Sequence, residues 1–231
     1  MLKKYIIVIF FFIGIIAGMV QTDIIMPTVS KPNTPYYHGV RGKNNISLTI
    51  NVDWGEEYLR DMLRVLDNKD VKVTFFVTGN WAKKNQGLLK AMADLGHEIA
   101  NHGYIHAHPK QLSRDQIIEL IKKNEEFIYQ ITNTRTNLFA PPYGEVDERI
   151  TSVASSIGYS TIMWSADTID WQRPSPEIIV QRAVNKIDDG GIILMHPTKP
   201  SLAALEPIIS NLENKGYNFV TVSELINKSS S

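Results

Sequence analysis

His102 and His106 are the residues whose types and spacing most directly suggest chemistry. On a helical turn, two imidazoles at i and i+4 point the same way and can share one metal ion. A carboxylate from another strand then completes a two-histidine, one-carboxylate site with open positions. His108 is an alternative to His106, although i,i+6 is poorer geometry. The chain has no cysteine, which excludes disulfide scaffolds, thiolate nucleophiles, zinc ribbons and iron–sulfur clusters, so any metal sits on His, Asp or Glu. His38, among prolines and glycines, and His97, inside a strand pattern, are read as structural.

Regular elements must hold these groups. Strand-like apolar runs cover 46–52, 71–77, 97–100, 138–140, 160–164, 191–195 and 219–222, with amphipathic helical segments between them. Leu59, Met62, Leu63 and Leu66 share one helical face. Ser113 and Gln116 form a capping box opening a helix to about Ile131, and Ser175-Pro176 is an N-cap followed by proline at the first helical position. The βαβα order predicts an α/β fold with parallel strands, as a barrel or an open sheet. In such folds functional residues gather where strands run into loops. Asp53-Trp54-Gly55, the His102 segment, Ala140 to Gly144, Asp167 to Trp171 and His196-Pro197 all fall at such points. Trp164 and Phe139 are read as core, Met195 as packing on the opposite strand face, and Asp167 as a turn cap.

Composition limits the partners. The 231 residues carry 24 Lys+Arg against 24 Asp+Glu, a formal charge of zero, and 43% apolar residues, which is globular composition. Zero net charge argues against nucleic acid, whose phosphates demand a cationic surface. Lys3 and Lys4 precede sixteen uncharged residues, 5–20. As a helix that run spans about 24 Å, enough for a membrane that thins slightly. No small-x-small cleavage site surrounds Ala17 to Val20, so residues 1–20 are expected to be a retained anchor, with a cleaved signal as the alternative. The remainder is then extracytoplasmic, membrane-anchored or secreted. Residues 21–44, with Pro27, Pro32 and Pro35, read as a tether, and 45–228 as one folded domain.

In order, the segments 48–55, 74–79, 96–102 with His106, Pro141-Pro142-Tyr143-Gly144, Asp170-Trp171 and 193–196 resemble the motifs of the polysaccharide deacetylase family. This is the NodB-homology domain of carbohydrate esterase family 4, and the Trp54-Gly55 variant is most similar to its sporulation-type subgroup. The resemblance implies a distorted (β/α) barrel and a divalent metal, zinc first with cobalt, manganese or iron as alternatives. The implied reaction is hydrolysis of acetyl groups, N-acetyl foremost, on a cell-envelope polysaccharide such as peptidoglycan. It implies His102, His106 and Asp53 as metal ligands, and the backbone N–H of Tyr143 as an oxyanion donor. It further implies His196 as general acid oriented by Asp170, and Trp171 and Leu194 as walls of the acetyl pocket.

Two positions depart from the family pattern together. Asn51 stands where the general-base aspartate belongs, and Ala140 where its arginine partner belongs. Asparagine cannot take up a proton near neutral pH, and a buried arginine without its aspartate is costly. The expectation is a hydrolase in which Asp53, or a carboxylate such as Glu56, Glu145 or Asp147, supplies the base. The alternative is a catalytically degraded glycan-binding or sporulation protein of the same fold.

Overall fold

The computed structural model describes residues 33–227. The apolar segment 5–20 lies outside them, as do residues 21–32 and Lys228, and among the described residues no helix is long and apolar enough to cross a membrane. The elements run β1 (Asn45–Val52), α1 (Glu56–Asn68), β2 (Thr74–Val77), α2 (Gly79–Lys84), α3 (Gln86–Asp94), β3 (Glu98–Asn101), α4 (Arg114–Thr132) and β4 (Leu138–Phe139). They continue through α5 (Glu148–Ser156), β5 (Ser160–Thr161), β6 (Ala166–Asp167), α6 (Pro176–Lys186), β7 (Ile192–Met195), α7 (Lys199–Asn214), β8 (Asn218–Phe219) and α8 (Val222–Ile226). The strands form one parallel sheet in the order β5-β4-β3-β2-β1-β7-β6, with β8 also on β1. This is a curled, half-barrel α/β sheet, in line with the parallel α/β order the residue pattern predicts and the distorted barrel the resemblance implies.

Alternation along β1 divides the core. Ile46, Leu48, Ile50 and Val52 point outward into the main cluster, where α1 contributes the predicted stripe of Leu59, Met62, Leu63 and Leu66. Burying each such side chain contributes ~1.5–3 kcal/mol, which fixes α1 on the sheet. Met195 is outward too, in the same cluster. The inner face is filled by Phe76, Ala100, Leu138, Ala140, Ile162 and Ile192, closed at the amino end by Val222 and Leu225 of α8. Ser47, Thr49 and Asn51 form a polar row on the inner face of β1. Ser47 Oγ donates to Val220 O (2.7 Å) and Thr49 Oγ1 to Ile193 O (2.8 Å).

Three expectations are corrected. β2 starts at Thr74 rather than 71, because β8 already occupies that edge of β1 at Asn45 and Ile46. The run 219–222 is not all strand, since a capping box of Thr221 with Glu224 starts α8 at Val222. The tether does not extend to residue 44. Tyr36 N–H donates to Thr161 O (2.9 Å), Gly39 N–H to Gly190 O (2.7 Å) and Val40 N–H to Leu225 O (2.9 Å), so this stretch packs on the sheet. The unpaired backbone groups at the β5 edge and in the turn before β7 need partners, and these residues supply them. His38 is structural as expected, with Nε2 2.9 Å from Asp188 Oδ1.

Candidate functional site

Because all strands are parallel, the loops after β1, β3, β4, β6 and β7 open on one rim and bring Asp53, His102, Tyr143, Asp170 and His196 to it. His102 and His106 do meet, with ring centroids 5.1 Å apart. They do so on a loop, however, not on the predicted helical turn. Gly103 sits at φ +82, a left-handed conformation that ends any helical winding, and its neighbour Asn101 turns its side-chain oxygen onto the Gly103 N–H (2.8 Å). His102 is buried, and its Nδ1 lies 2.7 Å from Ala140 O. A carbonyl can only accept, so Nδ1 carries the hydrogen and the Nε2 lone pair is left free. Burial pushes the His102 pKa down to about 3, helped by the charge of His106; burial also lowers His106. Both imidazoles are therefore neutral at physiological pH, the form that ligates a metal.

Asp53 stands near enough to act electrostatically on His106, and Thr78 at the end of β2 donates its hydroxyl to Asp53 Oδ1 (2.7 Å), leaving Oδ2. Among the described residues no three His, Asp or Glu side chains are already gathered as a complete metal cage. The donor set nevertheless fits a divalent ion in chemistry: two neutral imidazoles, one oriented by a backbone carbonyl, and a carboxylate with a free oxygen.

The second half of the site is fully assembled. Asp170 is completely buried; its Oδ1 lies 2.8 Å from His196 Nδ1, while its Oδ2 accepts from His196 N–H (2.7 Å) and Ser201 Oγ (2.7 Å). The carboxylate only accepts, so Nδ1 carries the hydrogen and Nε2 is presented outward. Asp170 is turned inward by a tight bend in which Ile169 takes φ 52, a strained conformation for a β-branched residue. Asp167 Oδ1 caps that bend by accepting from Ile169 N–H (2.8 Å), as expected of a turn cap.

The alternative bases are engaged elsewhere. Glu145 is bound to His108 Nδ1 (2.9 Å), which holds its carboxyl below the usual range, and the His108 ring is stacked on Tyr143. Asp147 caps α5 through Ile150 N–H (2.8 Å), and Glu56 is an exposed residue of the first turn of α1. Asn51 is buried, its Oδ1 without a hydrogen-bond partner, and Ala140 is buried in the inner core. Tyr143 takes φ 59 with its ring exposed; Trp171 is also exposed, and Leu194 is buried at the end of β7. Trp164 is a half-buried core residue and Phe139 a fully buried one.

Thr78, Ser201 and the contact of Trp54 with His196 escaped the sequence reading. Trp54 lies parallel to the His196 ring (8°, centroids 6.0 Å apart). Its place beside Asp53 was a signal in plain view. Thr78 and Ser201 act across 25 and 31 residues and left no local signal.

A curled parallel sheet with histidines and carboxylates on its carboxyl-end loops defines an α/β protein of the deacetylase fold. The chain belongs to the polysaccharide deacetylase family, carbohydrate esterase family 4, whose model matches residues 38–162. It is 41% identical over 194 residues to the uncharacterised protein YlxY of Bacillus subtilis, covering 84% of this chain and 61% of that one. It is 30% identical over 213 residues to the peptidoglycan-N-acetylglucosamine deacetylase PgdA of Listeria monocytogenes, covering 91% and 44%. The chain thus spans about half the length of these relatives. Among solved structures, wild-type BA3943 of Bacillus anthracis, described as a family 4 pseudoenzyme, superposes with TM-score 0.82 at 40% identity, covering 85% of this chain and 70% of that one. A mutant of BA3943 described as having restored enzymatic activity matches with TM-score 0.82 at 38% identity, covering 85% and 72%.

Proposed function

We propose that this chain is an extracytoplasmic, membrane-anchored, metal-dependent deacetylase of peptidoglycan N-acetyl sugars, slowed by the loss of its general base. One observation carries the reading: the His196–Asp170–Ser201 network is complete, opposite two neutral histidines, one of them oriented by a backbone carbonyl. A module that only binds glycan needs no general acid. His102, His106 and Asp53 would hold the ion, which supplies Lewis-acid polarisation of an acetyl carbonyl. Tyr143 N–H is held by its left-handed backbone on the rim where an oxyanion would form. Asp170, by holding the Nδ1–H, orients His196 so that Nε2 faces the departing amine as its proton donor. Asn51 cannot accept a proton, and the Thr78 bond to Oδ1 leaves Asp53 Oδ2 open.

The test is amine release from an N-acetylglucosamine tetramer by the full-length chain, with and without chelator. Wild type should be roughly 10²–10⁴-fold slower than Asn51→Asp with Ala140→Arg, and both should require metal. Turnover indifferent to chelator and to His102→Ala, or none in the double variant, overturns the reading. The unpartnered Asn51 Oδ1 and the likeness to a described pseudoenzyme favour a second reading, a glycan binder without turnover. Retention of the tetramer with no amine release by wild type identifies it.

A further inference from the structure

The loops after β3 and β4 are fastened together by side chains outside the metal-ligating and proton-donating groups. His108 lies two residues beyond His106, and Glu145 two residues beyond Tyr143. The Glu145 carboxylate accepts the His108 Nδ1–H at Oε1 (2.9 Å) and the Lys110 backbone N–H at Oε2 (3.2 Å). Arg149, in the first turn of α5, donates to the carbonyls of Pro109, Lys110 and Leu112 in the same stretch. Residues 108–112 of one loop are thereby clasped to the other.

The clasp encloses Tyr143. Its ring is stacked on the His108 ring (centroids 3.8 Å apart, 7° between planes) and meets the His106 ring edge-on (4.3 Å, 67°). A tyrosine at φ 59 is strained, and such a residue persists only where its surroundings over-determine it. Burial does not hold this one, since its ring is 56% exposed. The turn contributes two backbone bonds of its own, from Gly144 N–H to Pro141 O (3.1 Å) and from Glu145 N–H to Pro142 O (3.2 Å). The hold from outside the turn comes through His108, whose ring is kept in plane with Tyr143 while Glu145 keeps its Nδ1–H. Glu145, Tyr143 and His108 thus form a closed circuit of contacts around the strained residue.

We propose that His108 and Glu145 are positioning residues for the reaction: their clasp keeps Tyr143 in its left-handed conformation and so fixes the direction of its backbone N–H. The inference rests on the deacetylase reading above, in which that N–H meets the developing oxyanion. An amide that contacts only the developing charge stabilises the transition state and not the bound substrate. Loosening it therefore lowers kcat and leaves KM alone. Both side chains act through Tyr143, and neither is assigned a proton transfer.

The experiment compares His108→Ala, Glu145→Leu and Glu145→Gln in the full-length chain in detergent, in the Asn51→Asp, Ala140→Arg background. Glutamine keeps an oxygen for the His108 Nδ1–H, and leucine does not. In amine release from the N-acetylglucosamine tetramer, His108→Ala and Glu145→Leu should lower kcat at least about tenfold, part of the ~10²–10³-fold that loss of a whole oxyanion donor costs. KM should change by less than about twofold. Glu145→Gln, whose neutral acceptor makes a weaker bond of the same geometry, should keep kcat within about threefold. NMR hydrogen exchange on the metal-free chain reads the clasp without turnover. The Gly144 and Glu145 amides should exchange at least about fivefold faster in His108→Ala and Glu145→Leu than in the parent or Glu145→Gln, while the β1 amides keep their rates, which excludes general unfolding. Unchanged kcat or unchanged exchange in His108→Ala, a loss expressed in KM instead of kcat, or a Glu145→Gln as impaired as Glu145→Leu overturns this inference alone. A parent that releases no amine overturns the deacetylase reading and this inference with it.

Discussion

Replacing Asp170 with asparagine tests the acid half of the site without changing its shape. The carboxylate accepts three hydrogen bonds, from His196 Nδ1, His196 N–H and Ser201 Oγ. An amide keeps one acceptor and gains a donor. Two donors converge on the Oδ2 position, so the amide oxygen takes that place and the NH2 faces His196 Nδ1. Nδ1 must then give up its hydrogen and accept, shifting the neutral ring to the Nε2–H tautomer and disfavouring the charged ring that donates to a leaving group. Exchanging three charge-assisted bonds for neutral ones costs about 1 kcal/mol each, or about 3 kcal/mol in all. With a urea slope of ~2 kcal/mol/M, the unfolding midpoint falls by about 1.5 M. Nitrogen-15 NMR of the histidine rings reads the tautomer at fixed pH, and amine release in the Asn51→Asp, Ala140→Arg background should fall roughly 10²–10⁴-fold. An Asp170→Asn variant that keeps the hydrogen on His196 Nδ1 and unfolds at the wild-type urea concentration refutes the reasoning.

Three further outcomes are expected. Zinc at 100 times its dissociation constant should stabilise the chain by about 2.7 kcal/mol, seen as a rise in thermal midpoint that His102→Ala abolishes. Gly55→Ala should cost at least ~2 kcal/mol in chemical denaturation, because φ +84 is unfavourable to alanine and its Cβ meets Pro197 O. His97, whose pKa is pushed down to about 4 by burial and by Lys72, should make stability acid-sensitive. Its folded pKa lies below the unfolded 6.5, so the stabilisation is complete above pH 6.5 and is lost on acidification toward pH 4, by about 3 kcal/mol for 2.5 units. Denaturation curves across that range should lose this component in His97→Gln.

Local pattern carried most of the fold. The α1 stripe, the Ser113 capping box and the strand runs are set by neighbours within a turn or two, where periodicity and capping act. Boundaries failed where a distant partner intervened: β8 displaced the start of β2, and the sheet edges drew in residues 36–40. His106 meets His102 by a loop rather than by the expected helical turn, because the turn at Gly103 is chosen by how the loop docks on α2 and α4 rather than by its own helix propensity. Tyr104 N–H bonds Leu120 O and Asn80 N–H bonds Tyr104 O.

By itself the sequence determined which atoms are available: no thiol, histidines and carboxylates at strand ends, and an uncharged amide at Asn51 together with a methyl at Ala140, since side-chain chemistry is intrinsic to residue type. Tertiary structure alone decided which of them act on one another. It gave Asp170 a second partner in Ser201 across 31 residues, committed Glu145 to His108 and Asp147 to a helix cap, and laid Trp54 against the imidazole of His196. Hydrogen bonds and ring contacts extend only a few ångströms, so their pairing exists once the parallel sheet has brought remote loops to one rim.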